Sequence, residues 1–280
     1  MPPPVSPRAR WRAVLGRLPT ATREHLRGKD LALHAAGVTF YAAIAVVPLL
    51  LVVGWLATLL VGDELVRAFA GTMERALPDT LGAGRVASEI LDQAAQLSVL
   101  GALLALLPAT LYGEGLRRTY ASLSGSPDTA GGLRGRLAVL PVLAVAPLLL
   151  LAVLAITPLL DGLFGSGPGP TALGIYLALT VDWIAISVPL AWSFRVVAAD
   201  PPAWSAALVG GFATGAFVSG FLQGFVLFLS LPLDLGAPFG GLTAVGAVIA
   251  VLLWMWWLHV VVLVGYVATR QAVALGAAGR

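Results

Sequence analysis

The sequence predicts an all-α, polytopic membrane protein. Six transmembrane helices are expected, with both termini cytoplasmic and amphipathic helices at the N-terminus and between spans 1 and 2. Three observations carry this. The chain is 59% hydrophobic and only 11% charged, against about 25% charged residues in a soluble domain. Its apolar residues gather into six runs, near 31–61, 98–117, 137–160, 171–195, 205–230 and 242–268, each near the roughly 20 residues that cross a bilayer. Of 17 Lys and Arg, only Arg67, Arg75 and Arg85 fall in segments this topology puts outside, and the remaining 14 (17 less 3) fall on the other side. That asymmetry is the positive-inside pattern.

The elements follow in order. Residues 1–29 form a basic, partly amphipathic cytoplasmic segment. MPPPVSP at 1–7 is expected to be disordered. Arg8, Arg10, Arg12, Arg17, Arg23, Arg27 and Lys29 then surround Trp11, Val14, Leu15 and Leu18 at helical spacing. Such a helix lies on a membrane surface, here broken near Pro19. Because it leads straight into a span, anionic lipid headgroups are its expected partner, and nucleic acid is not. The net charge of +3 reads as topology and lipid contact rather than as a nucleic-acid footprint. The chain has no cysteine, so disulfides and thiolate metal sites are excluded. No cleavable signal is expected, because the first apolar run is too long for one.

Residues 30–270 read as a single transmembrane domain. Asp30 is placed to cap the first span. That span, LALHAAGVTFYAAIAVVPLLLVVGWLATLLV, has no charged residue. On a helical wheel His34, Gly37, Val38, Tyr41, Ala45 and Pro48 share one face, and Ala36, Phe40, Ala43 and Val47 the other. The first face suits close helix packing or a cavity better than lipid. Residues 62–97 form the long polar segment, external and amphipathic. Leu65, Val66, Phe69, Met73 and Leu77 make one stripe; beyond Pro78, Gly82 and Gly84, Val86, Ile90, Leu91, Ala94 and Leu97 make a second.

Span 2 ends at Arg117 and Arg118, where Glu114 and Arg118 have the i,i+4 spacing of an ion pair. Span 3 contains Pro141, Pro147 and Pro158, which predict kinks. FGSGPGP at 164–170 turns the chain on the outside, and ADPPAW at 199–204 returns it inside. SLPLDLGAPFGG at 230–241 is a second outer loop. Residues 271–280 are a short cytoplasmic tail.

Polar groups within the spans are the candidate functional residues. Asp182 falls near the middle of span 4, where a carboxylate costs about 2.5–3.5 kcal/mol. It is a proton or ion site, or it is held by a neighbouring helix. His259 falls near mid-depth in span 6 and can relay a proton or simply pack. Trp254, Trp256 and Trp257 lie beside it, lining a cavity or filling a lipid-facing groove. In span 5, Gly211, Gly215, Ser219 and Gln223 recur every four residues, with Ala216, Gly220 and Gly224 alongside. Gly211, Gly215, Ser219, Gly220 and Gly224 form the expected helix-packing stripe; Gln223 could bond across helices or meet a substrate. The candidate polar pathway is therefore His34, Tyr41, Asp182, Gln223 and His259. No metal cluster, phosphate loop or serine triad stands out, so no cofactor, no metal and no catalytic residue is expected.

Two stretches carry a family resemblance. AAGVTFYAAIAVVPLLLVV resembles the alanine-rich, aromatic-pair, Pro-Leu-Leu run of the YihY/BrkB family of bacterial inner-membrane proteins. Phe40 and Tyr41 match the aromatic pair, and Pro48, Leu49 and Leu50 the proline end; the family's serine before that proline is Ala45 here. FGGLTAVGAVIAVLLWMWWLHVVVLVGYV at 239–267 is similar to the family's last span. Phe239 and Gly240 match a Tyr-Gly pair loosely, and Leu253, Trp254 and Gly265 match well. The family's Ala-Glu pair is replaced by Tyr266 and Val267, which removes whatever would rest on that glutamate.

The resemblance covers about residues 25–272. It implies a multi-pass protein of the bacterial cytoplasmic membrane, with six helices and cytoplasmic termini. It also suggests transport of a lipid or other amphipath. Family members often carry the label "ribonuclease BN", which no residue pattern here supports. The expected function is a transporter or flippase-like protein for an unidentified lipid, amphipath or small solute. The alternative is a non-catalytic scaffold or envelope-biogenesis factor, and a homo-oligomer is compatible with either.

Overall fold

The computed structural model describes residues 7–76, 83–128, 131–163, 167–229, 231 and 233–278. Among them are nine α-helices and no strand. They are α1 (Pro7–Leu26), α2 (Leu31–Val61), α3 (Asp63–Ala76), α4 (Ala83–Ala95), α5 (Val99–Ser124), α6 (Gly131–Leu163), α7 (Pro168–Trp192), α8 (Trp204–Leu229) and α9 (Thr243–Ala278). A π-helical turn, Ser193–Val197, follows α7. Among the described residues six helices are long and apolar enough to cross a membrane: α2, α5, α6, α7 with its π turn, α8 and α9.

Helix α2 is the organising element. It packs against α5, α6 and α9, and carries the α3–α4 hairpin near its second half. Helices α7 and α8 pair, α8 continues onto α9, and α6 joins the two groups. Helix α1 lies along α9, so the N-terminal helix and the last helix meet at one end of the bundle. Lys29, Arg117, Arg118, Arg136, Arg195 and Arg270 gather at this basic end.

The main core is also there. Val38 of α2, Tyr120 and Leu123 of α5, Phe194 of the π turn, and Leu263 and Tyr266 of α9 are fully buried in it. Tyr120 stacks on Tyr266 with centroids 4.1 Å apart and meets Phe194 edge-on at 6.0 Å. A smaller cluster of Val53, Ala109, Val139 and Leu143 lies deeper, between α2, α5 and α6. Phe40, Leu59, Leu107, Ile175, Val209 and Leu253 are exposed, as lipid-facing residues must be where the solvent is apolar.

Small residues bring the helices together, since apolar burial alone cannot do so in lipid. A Cβ at Gly113 would lie 2.3 Å from the Gly135 carbonyl oxygen, and one at Gly115 2.6 Å from the Tyr41 ring. Gly211 meets the Ala191 backbone at 2.6 Å by the same measure, and Gly215 the Ser187 hydroxyl at 2.1 Å. Ser219 is buried, and Gly224 approaches Trp254 at 3.8 Å. Gly220 departs from the expected stripe. It is exposed with nothing near its missing Cβ, because α7 contacts the adjacent face of α8.

Several boundaries differ from expectation. Helix α1 runs from Pro7 straight through Pro19, without the expected break. Helix α5 continues seven residues past Arg117, and stops at Gly125 in a left-handed conformation with φ 68°. It can continue because the charges that signalled an end are paired. Helix α6 is continuous through Pro141, Pro147 and Pro158. Helix α9 runs on through most of the expected tail. On α2, Gly37 is exposed, while Ala35, Val38, Thr39, Ala42 and Ala45 are buried. The interior face is thus rotated toward Ala35 and Thr39, with His34, Tyr41 and Pro48 at its border.

The Asp30 cap is present, its carboxylate accepting from the Leu33 backbone N–H at 3.0 Å. In the hairpin, Val66, Ala70 and Ala94 are buried, and Ala94 comes within 2.7 Å of where a Gly54 Cβ would be. The side chains of Phe69 and Met73, and residues 1–6, 77–82 and 164–166, lie outside the described residues.

Candidate functional site

The five expected pathway residues fall into separate places. Asp182 sits 14 residues into α7, about 21 Å along its axis by helical rise. Gln223 of α8 donates from Nε2 to Asp182 Oδ2 at 3.0 Å. Beside it, the Trp183 indole donates to the Phe212 carbonyl at 2.9 Å, a second tie between α7 and α8. Gly211 and Gly215 make this approach possible.

Asp182 and Gln223 are both partly buried. No Lys, Arg or His among the described residues pairs with Asp182, and its second oxygen accepts nothing there. An uncompensated carboxylate at this depth favours taking a proton or a cation.

His259 belongs to a different cluster. Its Nδ1 is 3.0 Å from the Thr39 hydroxyl of α2, and its Nε2 is 3.2 Å from the Tyr112 hydroxyl of α5. Thr39 spends its proton on the Ala35 carbonyl at 2.8 Å. Its oxygen therefore accepts from Nδ1–H, and in a neutral ring Nε2 accepts from Tyr112. Both ring nitrogens have partners, and the imidazole joins α9 to α2 and α5. No hydrogen bond among the described residues links this cluster to Asp182. Trp254 and Trp256 serve as ties, donating to the Phe221 and Ala32 carbonyls at 3.2 Å and 3.0 Å.

His34 and Tyr41 stand apart again. His34 reaches the Asp30 carbonyl at 2.7 Å and the Ser122 hydroxyl at 2.8 Å, so it fastens the start of α2 to the end of α5. The Tyr41 ring lies over Gly115, with its edge to Phe40 at 6.1 Å.

The basic end holds a polar network that sequence spacing reveals only in part. Glu114 pairs with Arg118 at 2.6 Å, as its spacing predicts, and also with Arg136 of α6 at 2.6 Å. Gly132 and Gly135 leave room for it. Arg117 is buried and pairs with Asp128 at 2.8 Å. Its remaining donors reach the Val197 and Ala198 carbonyls, at 3.1 Å and 3.4 Å, where the π turn ends.

Arg270 pairs with Asp200 at 2.5 Å, and Arg195 lies over the Trp204 ring at 5.6 Å. His25 and Lys29 both reach the Leu123 carbonyl. Local spacing does not mark Thr39, Tyr112 or Asp128, and it marks Arg117 only as the end of a span. Tyr112, Leu116 and Tyr120 do recur every four residues, a stripe that could have marked the inner face of α5.

These features define a polytopic α-helical membrane protein whose polar groups hold helices together at one end and, among the described residues, leave the Asp182 carboxylate uncompensated at mid-depth. A family model described as Virulence factor BrkB matches residues 22–276, and the chain belongs to that family. No curated protein and no solved structure matches it. At the position of the motif's glutamate, Val267 is fully buried in the apolar core. Tyr266 beside it donates to the Asp200 carbonyl at 3.3 Å.

Proposed function

We propose that this protein is a transporter or flippase-like carrier of the bacterial cytoplasmic membrane, for a lipid, amphipath or small solute. The basic end would face the cytoplasm. The observation that carries this reading is the Asp182–Gln223 pair, a partly buried carboxylate with no counter-cation at the α7–α8 contact. A structural carboxylate in lipid is normally neutralised by a basic partner; this one keeps an unused oxygen for a proton or cation. The basic end, closed by Arg117, Glu114 and the Tyr120–Tyr266 stack, would be the cytoplasmic seal. His259 then acts as a structural joint, and nothing in the reading calls for an enzyme.

The test is reconstitution of purified protein into vesicles, following a fluorescent lipid analogue and a panel of small solutes over a range of pH. Wild type should move at least one probe, and Asp182→Asn should abolish the pH dependence. Unaltered transport by the variant across pH removes Asp182 from the mechanism. Failure of every probe favours the scaffold reading. For that reading the supporting observation is the α3–α4 hairpin, where Leu65 and Val86 are 48% and 53% exposed.

A further inference from the structure

Between α1 and α9 at the basic end lies a groove of about 680 Å³. Leu18, Thr22 and Arg23 line it from α1, Arg27 from the turn just past that helix, and Val264 and Ala268 from α9. Its character changes along its length. Leu18, Val264 and Ala268 give apolar walls where α9 leaves the membrane-spanning stretch. Arg23, in the last turn of α1, and Arg27, one residue past its end, both line the groove and are exposed. Neither has an acidic partner among the described residues.

Thr22 is 7% exposed, and its buried hydroxyl has no hydrogen-bond partner. A buried unpaired hydroxyl is costly, and native structures contain few. Lys29 and Arg270 add positive charge at the same end of the bundle. Burial first, and then the Arg270 guanidinium, hold the Lys29 ammonium below the usual lysine range.

We propose that this groove is a binding site for one anionic phospholipid, its phosphate held by Arg23 and Arg27 and its upper acyl segment lying against Leu18, Val264 and Ala268. Entry of the headgroup gives the Thr22 hydroxyl an oxygen acceptor. Charge complementarity selects an anion, because two adjacent guanidiniums bind phosphate in fixed geometry. The apolar walls at the membrane boundary select a lipid over a free anion. The site would fix α1 against α9 only in a membrane that contains acidic lipid. It is independent of the transport reading, since no residue of the Asp182–Gln223 pair takes part.

The test uses the full chain in phosphatidylcholine nanodiscs doped with phosphatidylglycerol, and lipid retained after extraction is measured by native mass spectrometry. Wild type should retain phosphatidylglycerol about tenfold better than phosphatidylcholine. Arg23→Gln with Arg27→Gln should erase that preference. Arg12→Gln with Arg17→Gln, on the same helix but away from the groove, should keep it. Thr22→Val should weaken retention about threefold, the worth of one modest hydrogen bond.

Equal retention of the two lipids by wild type overturns the proposal. So does an equal loss from the Arg12/Arg17 pair, which would mean diffuse attraction. Displacement of the lipid by inorganic phosphate also overturns it, since the groove would then be a plain anion site. Should the Arg23/Arg27 variant fail to fold, the wild-type comparison and Thr22→Val still decide.

Discussion

The basic end of the bundle and its mid-depth α7–α8 contact are held by different means. At the basic end, α5, α6, the π turn and its following loop, and α9 carry side-chain bonds that each satisfy a charge or a carbonyl: Arg117 to Asp128, Val197 and Ala198, Glu114 to Arg118 and Arg136, and Asp200 to Arg270. Deeper in the bundle, α7 and α8 rest on glycine contacts, one indole tie and one carboxylate–amide bond. Interhelical hydrogen bonds in membranes average well under 2 kcal/mol. A buried charge is different, because removing its partner strands it. Breaking a contact at the basic end is therefore expected to cost more than breaking one around Asp182.

The largest effect should come from breaking the basic end. Arg117→Ala leaves Asp128 without its cation and two carbonyls without donors. A loss of about 3–5 kcal/mol is expected, seen as a marked fall in thermal midpoint in detergent. Asp128→Asn should cost less, because the amide oxygen still accepts from Arg117. A small change in Arg117→Ala would show that the network is ornamental and that the Tyr120–Tyr266 core alone closes this end.

Next comes overpacking of the α7–α8 contact. Gly211→Leu drives a side chain into the Ala191 backbone, 2.6 Å from where its Cβ must go. Overpacking typically costs about 1–3 kcal/mol. Gly220→Leu on the same helix should be silent, since that position faces open space. Equal losses at the two positions, measured by the same melting curves, would place the α7–α8 contact on a different face of α8.

Much of this contrast was legible in the sequence, and its limits have a physical cause. Local rules located what local chemistry decides: the charge-free run that became α2, the Asp30 cap, and the Glu114–Arg118 spacing. They failed where a partner far along the chain decides. Arg136 reaches Glu114 from 22 residues away, and Arg117 reaches Val197 from 80. With those pairs unseen, charged residues at 114–118 look like a helix end instead of its interior. His259 was picked out as a polar residue in lipid, but its role depends on Thr39 and Tyr112, which only the assembled helices bring to it. Gly220 looked like part of a stripe because spacing cannot say which face has a neighbour.

A smaller effect is expected from the His259 cluster. Tyr112→Phe removes the donor to Nε2 and leaves the ring packing, so it should cost about 0.5–1.5 kcal/mol. Thr39→Val should cost a similar amount, because it removes the Thr39 oxygen that meets Nδ1 at 3.0 Å. If neither variant shifts the melting curve while both alter transport, the imidazole is part of the moving machinery, and the boundary between the two regions must be drawn beyond α9.

The smallest stability change should come from Asp182→Asn, and here the comparison becomes sharpest. The amide keeps an oxygen to accept from Gln223 Nε2, the bond seen at 3.0 Å. It also removes a carboxylate whose placement at mid-depth costs about 2.5–3.5 kcal/mol when charged. With the bond to Gln223 kept and a costly charge removed, any loss of stability should stay within about 1 kcal/mol. Transport, by contrast, should lose its pH dependence entirely. On the transport reading, a residue that contributes little to holding the helices together, yet carries a cost in lipid, has its use in what the protein does. A melting curve lowered by Asp182→Asn as far as by Arg117→Ala would reverse that argument and make the pair one more structural joint.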